Sequence, residues 1–234
     1  MSDIIEKTIQ FTSRPRRETK SEPRGRKNPA NAHFSRPWGY PIYRTYYGPG
    51  SDESWNELLH SLKQQTRLGL GAFEEEDQDD VQKLKELFHL NSYEDPATLE
   101  GLDVRGLRQF CKNHQFGIST AFSDCLFHFV LMADKSVLED IKKGIFVVKA
   151  VSLSWDRQPG WGWVRLPTGY LIELWQQLLR YRTDTENALH FHGREEDLDT
   201  YIWAGDLAND ETGRCSQICD LRCHYGRENM YVMF

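Results

Sequence analysis

Cys215, Cys219 and Cys223 recur every four residues, with His224 directly behind the last. Thiolates and imidazoles are good ligands for zinc or another soft metal. On a helix this spacing lines the thiols along one side. A standard zinc site, however, pairs ligands about two to four residues apart on separate turns, and thiols climbing one straight helix do not converge on one ion. The expectation is packed or incidental cysteines and no metal, with metal binding and redox-reactive thiols as the sharper alternatives. Arg44, His128 and Asp156 are the other residues with chemistry to offer. An arginine that binds an anion and a histidine or aspartate that moves a proton would together make a small-molecule pocket. Each also has a plainer explanation. His128 sits in the apolar run CLFHFVLMA and has no partner visible in sequence, which suits a packed, hydrogen-bonded core histidine.

The elements that must position these residues begin with the stretch from Trp38 to Leu62. In it Ile42, Arg44 and Tyr46 share one side of an extended segment, and Tyr43, Thr45 and Tyr47 share the other. Gly48, Pro49 and Gly50 break the strand. Ser51 is the expected N-cap, with Asp52 and Glu53 at the positive end of the helix dipole. Trp55, Leu58, Leu59 and Leu62 then mark one face of a helix reaching about Arg67. Arg44 is the unusual member of its strand, because a charge on the same side as Ile42 and Tyr46 must either reach water or find an anionic partner.

Further along, the acids from Glu74 to Asp80 read as a solvated loop leading into a short helix marked by Leu84, Leu87 and Phe88. They lack the spacing and glycine of a calcium loop. Leu99, Leu102, Leu107 and Phe110 place a third helix, expected to be interrupted at Gly106. CLFHFVLMA suits a central strand, after which Asp134 or Ser136 can cap a short helix that Gly144 stops. IFVVKAVSLSW is another strand. Asp156 to Gly160 is a hairpin loop, and Trp161 and Trp163 lie on the returning strand, which Pro167 ends. Thr168 can cap a helix with Leu171, Leu174, Trp175, Leu178 and Leu179 on its buried face. Spacing puts Trp155 and Trp175 in the core and Trp161 or Trp163 at the rim, where an aromatic patch with Tyr43 would be a binding surface.

The chain has 234 residues, 39% of them hydrophobic, which suits one domain with appendages. Its net charge of −6 argues against the whole protein being a nucleic-acid binder. No apolar run of about 18 residues suggests a membrane span. The polar start MSDIIEKTIQFTSRPRR does not read as a secretory leader, and five cysteines make no even disulfide framework, so the expected location is cytoplasmic or nuclear. Residues 1–36, with Arg14, Arg16, Arg17, Lys20, Arg24, Arg26 and Lys27 among prolines and serines, read as a disordered basic tail. Residues 37–183 are the α+β core, and residues 184–234 an extension ending in the Cys-rich segment.

Taken together, WGYPIYRTYYGPGSDESW, the acidic stretch, VRGLRQF, CLFHFVLMA and GWGWVRLPTGYLIELWQQLL resemble a large group of uncharacterised filamentous-fungal proteins. In that group an aromatic-Ile-Tyr-Arg-Thr strand precedes a Ser-Asp-Glu-x-Trp helix start, and a late aromatic-Gly-Trp strand leads into an apolar helix. The resemblance covers about residues 38 to 180. It implies a fungal source and an intracellular α+β domain, and it brings no assigned activity and no catalytic residue. The Cys-rich tail departs from it.

The element order suggests a single sheet of about four strands with helices packed on one face, near the ferredoxin-like arrangement. Function has to come from a site on it. The leading expectation is a non-enzymatic interaction or accessory module with a protein partner, no cofactor, and contacts at Tyr43, Trp161 and Trp163. A small-molecule enzyme, possible in secondary metabolism, with a pocket near Arg44, His128 and Asp156 is the runner-up. A nucleic-acid-associated protein acting through residues 14–27 is the third reading.

Overall fold

The sheet is organised around β1 (Trp38–Arg44), every residue of which is buried. The computed structural model describes residues 4–12, 37–71, 78–114, 129–153, 155, 161–180, 191 and 194–203. β1 is flanked by β2 (Phe88–Tyr93) and β3 (Phe129–Ala133), both parallel to it. β4 (Val147–Ser152) and β5 (Trp163–Pro167) then add antiparallel, giving the order β2-β1-β3-β4-β5. The class is α+β, as expected, with five strands rather than about four.

β2 is the strand that sequence reading missed. It follows α3 (Gln78–Leu87) with no intervening residue, so no glycine or proline announces the change, and Leu84, Leu87 and Phe88 look like one helical stripe. Its own signal is the burial of Phe88 and Leu90 alternating with more exposed His89 and Asn91. Gly39 lets the pair form. Its φ of 133° is one that side chains rarely adopt, and a Cβ there would overlap the His89 carbonyl oxygen.

Tyr40 and Tyr43 lie three apart on β1 and so point to opposite sides of the sheet. Tyr40 donates its hydroxyl to the Leu171 carbonyl at 3.1 Å and meets Trp175 edge-on, both on α7 (Leu171–Arg180). Tyr43 instead meets Phe110 of α5 (Val104–His114). Helices therefore cover both faces, not one. A strand with apolar side chains in both directions needs this. On the Tyr40 side α7 is joined by α2 (Ser51–Leu70), which packs on it and on α6 (Lys135–Lys142).

Residues 1–36 do not behave as one tail. Ile4–Thr12 form α1, with Ile4, Ile5, Ile9 and Phe11 buried; residues 13–36 lie outside the described residues. The four apolar residues occupy one helical face, a pattern masked in sequence by the basic stretch that follows. Thr8 Oγ1 accepts from Trp175 Nε1 at 3.1 Å, and Phe11 packs edge-on against the same indole.

Several local expectations need correction. Gly50, in the left-handed region at φ 71°, is the N-cap of α2, and Ser51 is already helical. Gly106 does not interrupt α5. It lies in the first turn, where its N–H donates to the Asp103 carboxylate at 2.7 Å, and a helical glycine costs least near an end. Between β5 and α7 comes a 3-10 turn, Thr168–Tyr170, in which Thr168 does not cap. Its hydroxyl donates to Gln65 Oε1 at 2.6 Å and ties the turn to α2. At α6 the cap is Asp134, which accepts from Val137 N–H at 3.1 Å, and Gly144 follows the helix at φ 77°.

Candidate functional site

Arg44, the charged residue of β1, has its anions inside the chain. Its Nη2 donates to Ser51 Oγ at 2.7 Å and pairs with Asp52 at 2.5 Å, its Nε donates to the Tyr46 carbonyl at 3.0 Å, and Nη1 lies 3.5 Å from Glu94. The guanidinium also stacks on Tyr47. Ser51 completes the tie by donating to the Gly48 carbonyl at 2.6 Å. Arg44 thus pins the Gly-Pro-Gly turn to the start of α2. Asp52 and Glu94 are 80% and 43% exposed, so water screens both pairs, and the bonds to Ser51 and Tyr46 carry most of the stabilisation. Arg44→Met is expected to cost about 1–2 kcal/mol. Urea denaturation should return nearly the same loss in 1 M salt; a difference that collapses with salt would mean that the ion pairs dominate.

The second charged cluster lies on the opposite side of the sheet. Lys149 on β4 and Arg165 on β5 are directly opposed and each only 5% exposed. Burying two cations side by side requires matching anions. Asp134, at the end of β3, accepts from Lys149 Nζ at 2.7 Å, and Asp140 of α6 pairs with Arg165 Nη2. A segment downstream of the core supplies the rest. Asp199, at the end of a 3-10 turn (Glu195–Asp199), lies 3.3 Å from Lys149 Nζ, and its carbonyl accepts from Arg165 Nη1. Lys149 also sits over the Trp163 ring, 4.7 Å from its centroid. Burial alone would raise the Asp134 carboxyl, but the Lys149 ammonium and the bonds from Val137 and Ser136 outweigh it and hold the group below its ordinary value.

The third feature is the root of the β4–β5 hairpin. Arg108 reaches from α5 across the sheet, donating from Nε to the Ser152 carbonyl at 2.9 Å and from Nη2 to the Trp161 and Gly162 carbonyls at 3.0 and 2.8 Å. Its guanidinium stacks on Trp155, 4.6 Å from the ring centroid. Gly162 has φ 69°, and a Cβ there would run into both the Trp155 indole and Arg108. The result is a hairpin root held from both strands, with Trp155 and Trp161 half-buried at its border.

These features redistribute the expected site residues. Tyr43 is fully enclosed, stacked on Tyr93 at 4.6 Å, and Trp163 is buried beneath Lys149, so neither forms part of an aromatic surface; Trp161 remains at the border. Trp155, expected in the core, shares that border. Burial pushes the Tyr43 phenol well above its ordinary value and the neighbouring Cys111 thiol up to about 11. His128, Asp156, Cys215, Cys219, Cys223 and His224 lie outside the described residues. Arg108, Lys149, Arg165, Asp134 and Asp199 went unnoticed as a group. The sole trace in sequence is a cation within each of two strands, Lys149 in VVKAVS and Arg165 in WVRLP, where a buried strand normally carries none. Among the described residues no cluster of His, Cys, Asp and Glu is placed to hold a metal, and no helix is long and apolar enough to cross a membrane.

Fold and site together define a helix-covered α+β protein with a mixed sheet, whose buried charges tie its elements together. Comparison with protein-family models, with curated proteins and with solved structures gave no match.

Proposed function

We propose that this chain is a non-enzymatic interaction module that engages a protein partner at the root of the β4–β5 hairpin, with Trp161 and Trp155 as contacts. The observation that carries the reading is the Arg108 clamp, which holds the Trp161 and Gly162 carbonyls and stacks on Trp155. Tryptophan next to arginine on a held backbone is the composition in which binding energy concentrates, because little side-chain entropy remains to be lost on association. The small-molecule reading is less well supported, since the cation that was to hold an anion, Arg44, is occupied by Ser51, Asp52 and Glu94.

The test is affinity capture from an extract of cells that express the protein, comparing wild type with Trp161→Ala and Leu68→Ala. Leu68 is exposed on α2, far along the chain from the hairpin, and serves as the control for an apolar surface residue. Trp161→Ala should weaken capture of one specific protein by roughly 30-fold or more. Its thermal midpoint should fall, because the ring packs on the core, so capture is compared at a temperature well below the variant's own midpoint, where both proteins are folded. Capture lost equally with Leu68→Ala, or unchanged with Trp161→Ala, overturns the reading.

A further inference from the structure

We propose that residues 194–203 are a displaceable strap on a strand-accepting edge of β5, and that this edge docks an extended segment of a partner protein that carries an acidic residue three positions ahead of an aliphatic–aromatic pair. The strap itself displays that chemistry: Asp199 precedes Ile202 and Trp203.

Among the described residues β5 is the last strand of the sheet, and the outer edge of such a strand offers backbone groups to an extended chain laid beside it. The described strap residues meet that edge at Arg165. Ile202 pairs with Arg165 as an isolated parallel bridge, and Trp203 N–H donates to the Arg165 carbonyl at 2.7 Å. Its side chains supply the remaining grip, with Leu198, Tyr201, Ile202 and Trp203 buried and Asp199 at the two cations.

Charge decides that the strap can leave. Lys149 and Arg165 each keep a carboxylate from the core, Asp134 and Asp140, so departure of Asp199 strands no unpaired buried cation. The Asp199 side chain is 64% exposed, although the ammonium that it meets is buried, so a competing carboxylate can approach. The strap also fills the site imperfectly. Among the described residues no acceptor meets the buried Arg165 Nε, a donor that a better-fitting segment would satisfy. The apolar residues set the other half of the requirement, because a segment without an aliphatic–aromatic pair would leave the seats of Ile202 and Trp203 open to water.

Two measurements on the full chain test this. In native-state hydrogen exchange, the Trp203 amide should exchange at least about 100-fold faster than the β3 and β4 amides, as for a unit that opens below the global unfolding free energy. A labelled peptide of sequence REEDLDTYIW should bind Trp203→Ala at least roughly tenfold more tightly than wild type, whose closed strap reduces the competent fraction. The same peptide with lysine in place of aspartate at its sixth position should not bind. Trp203 protection equal to that of β3 and β4 overturns the proposal, whether or not the variant folds. So does a peptide that binds neither protein, or a strap-exchanged dimer of the peptide-free chain, which would make a second copy the occupant. The hairpin root is probed by Trp161→Ala, so either idea can fail alone.

Discussion

Lys149→Met lowers stability by about 3 kcal/mol, the low end of the cost of breaking a buried ion pair from one side. The low end applies because Asp134, left behind, still accepts from Ser136 and Val137 and is 22% exposed. Adding Asp134→Asn should recover part of the loss, and a double-mutant cycle isolates the coupling. The pH dependence has a definite sign. Asp134 titrates below its ordinary value of 3.8 in the folded chain, so its contribution is complete above that value and is lost as pH falls through the lower, folded value. Lys149→Met should therefore flatten the acid limb of stability against pH. Urea denaturation between neutral pH and the acid limb checks both; a loss well under 1 kcal/mol would mean that water reaches the pair and screens it as on a surface.

Trp175→Ala should cost about 3–5 kcal/mol, the range for deleting a buried large aromatic side chain. The indole is where three elements meet. It packs on Phe11 of α1 and on Trp38 and Tyr40 of β1, with ring centroids 5.3, 5.3 and 5.8 Å away, and its N–H donates to Thr8. Edge-on aromatic pairs add about 0.5–1.5 kcal/mol to what area alone provides. The cavity would sit under α1, which should then become the first site of proteolysis while the sheet persists. Trp175→Phe should recover most of the loss but not the bond to Thr8. A variant with a wild-type denaturation midpoint and a protected N-terminus would contradict this packing. Set against a typical total of about 5–15 kcal/mol, the alanine variant removes a large share of the protein's stability.

Both predictions rest on contacts between residues distant in sequence, and there the reading from sequence stopped. Local features were legible. The Gly-Pro-Gly turn, the start of α2, the Asp134 cap, the Gly144 stop and the apolar face of α7 each depend on residues within a turn or two of one another. The errors have a common origin. β2 was missed because helix passes directly into strand, α1 because a basic stretch follows it, and the helical layer on the second face because a continuously apolar strand does not say what covers it.

Arg44 shows where the boundary falls. Sequence alone established that a cation on an apolar strand must reach water or find an anion, since charge cannot be buried unpaired at tolerable cost. Only the fold decided which one, by turning the chain through Gly48–Gly50 so that Ser51 and Asp52 return to the guanidinium. Lys149 and Arg165 carry the same lesson over longer range. Each cation is visible in its own strand, but strand register sets them side by side, α6 brings Asp140, and a segment some 34 residues downstream of Arg165 brings Asp199. Residue type determines that such charges require partners; tertiary structure alone chooses the partners, because electrostatic pairing depends on distance in space and not on separation along the chain.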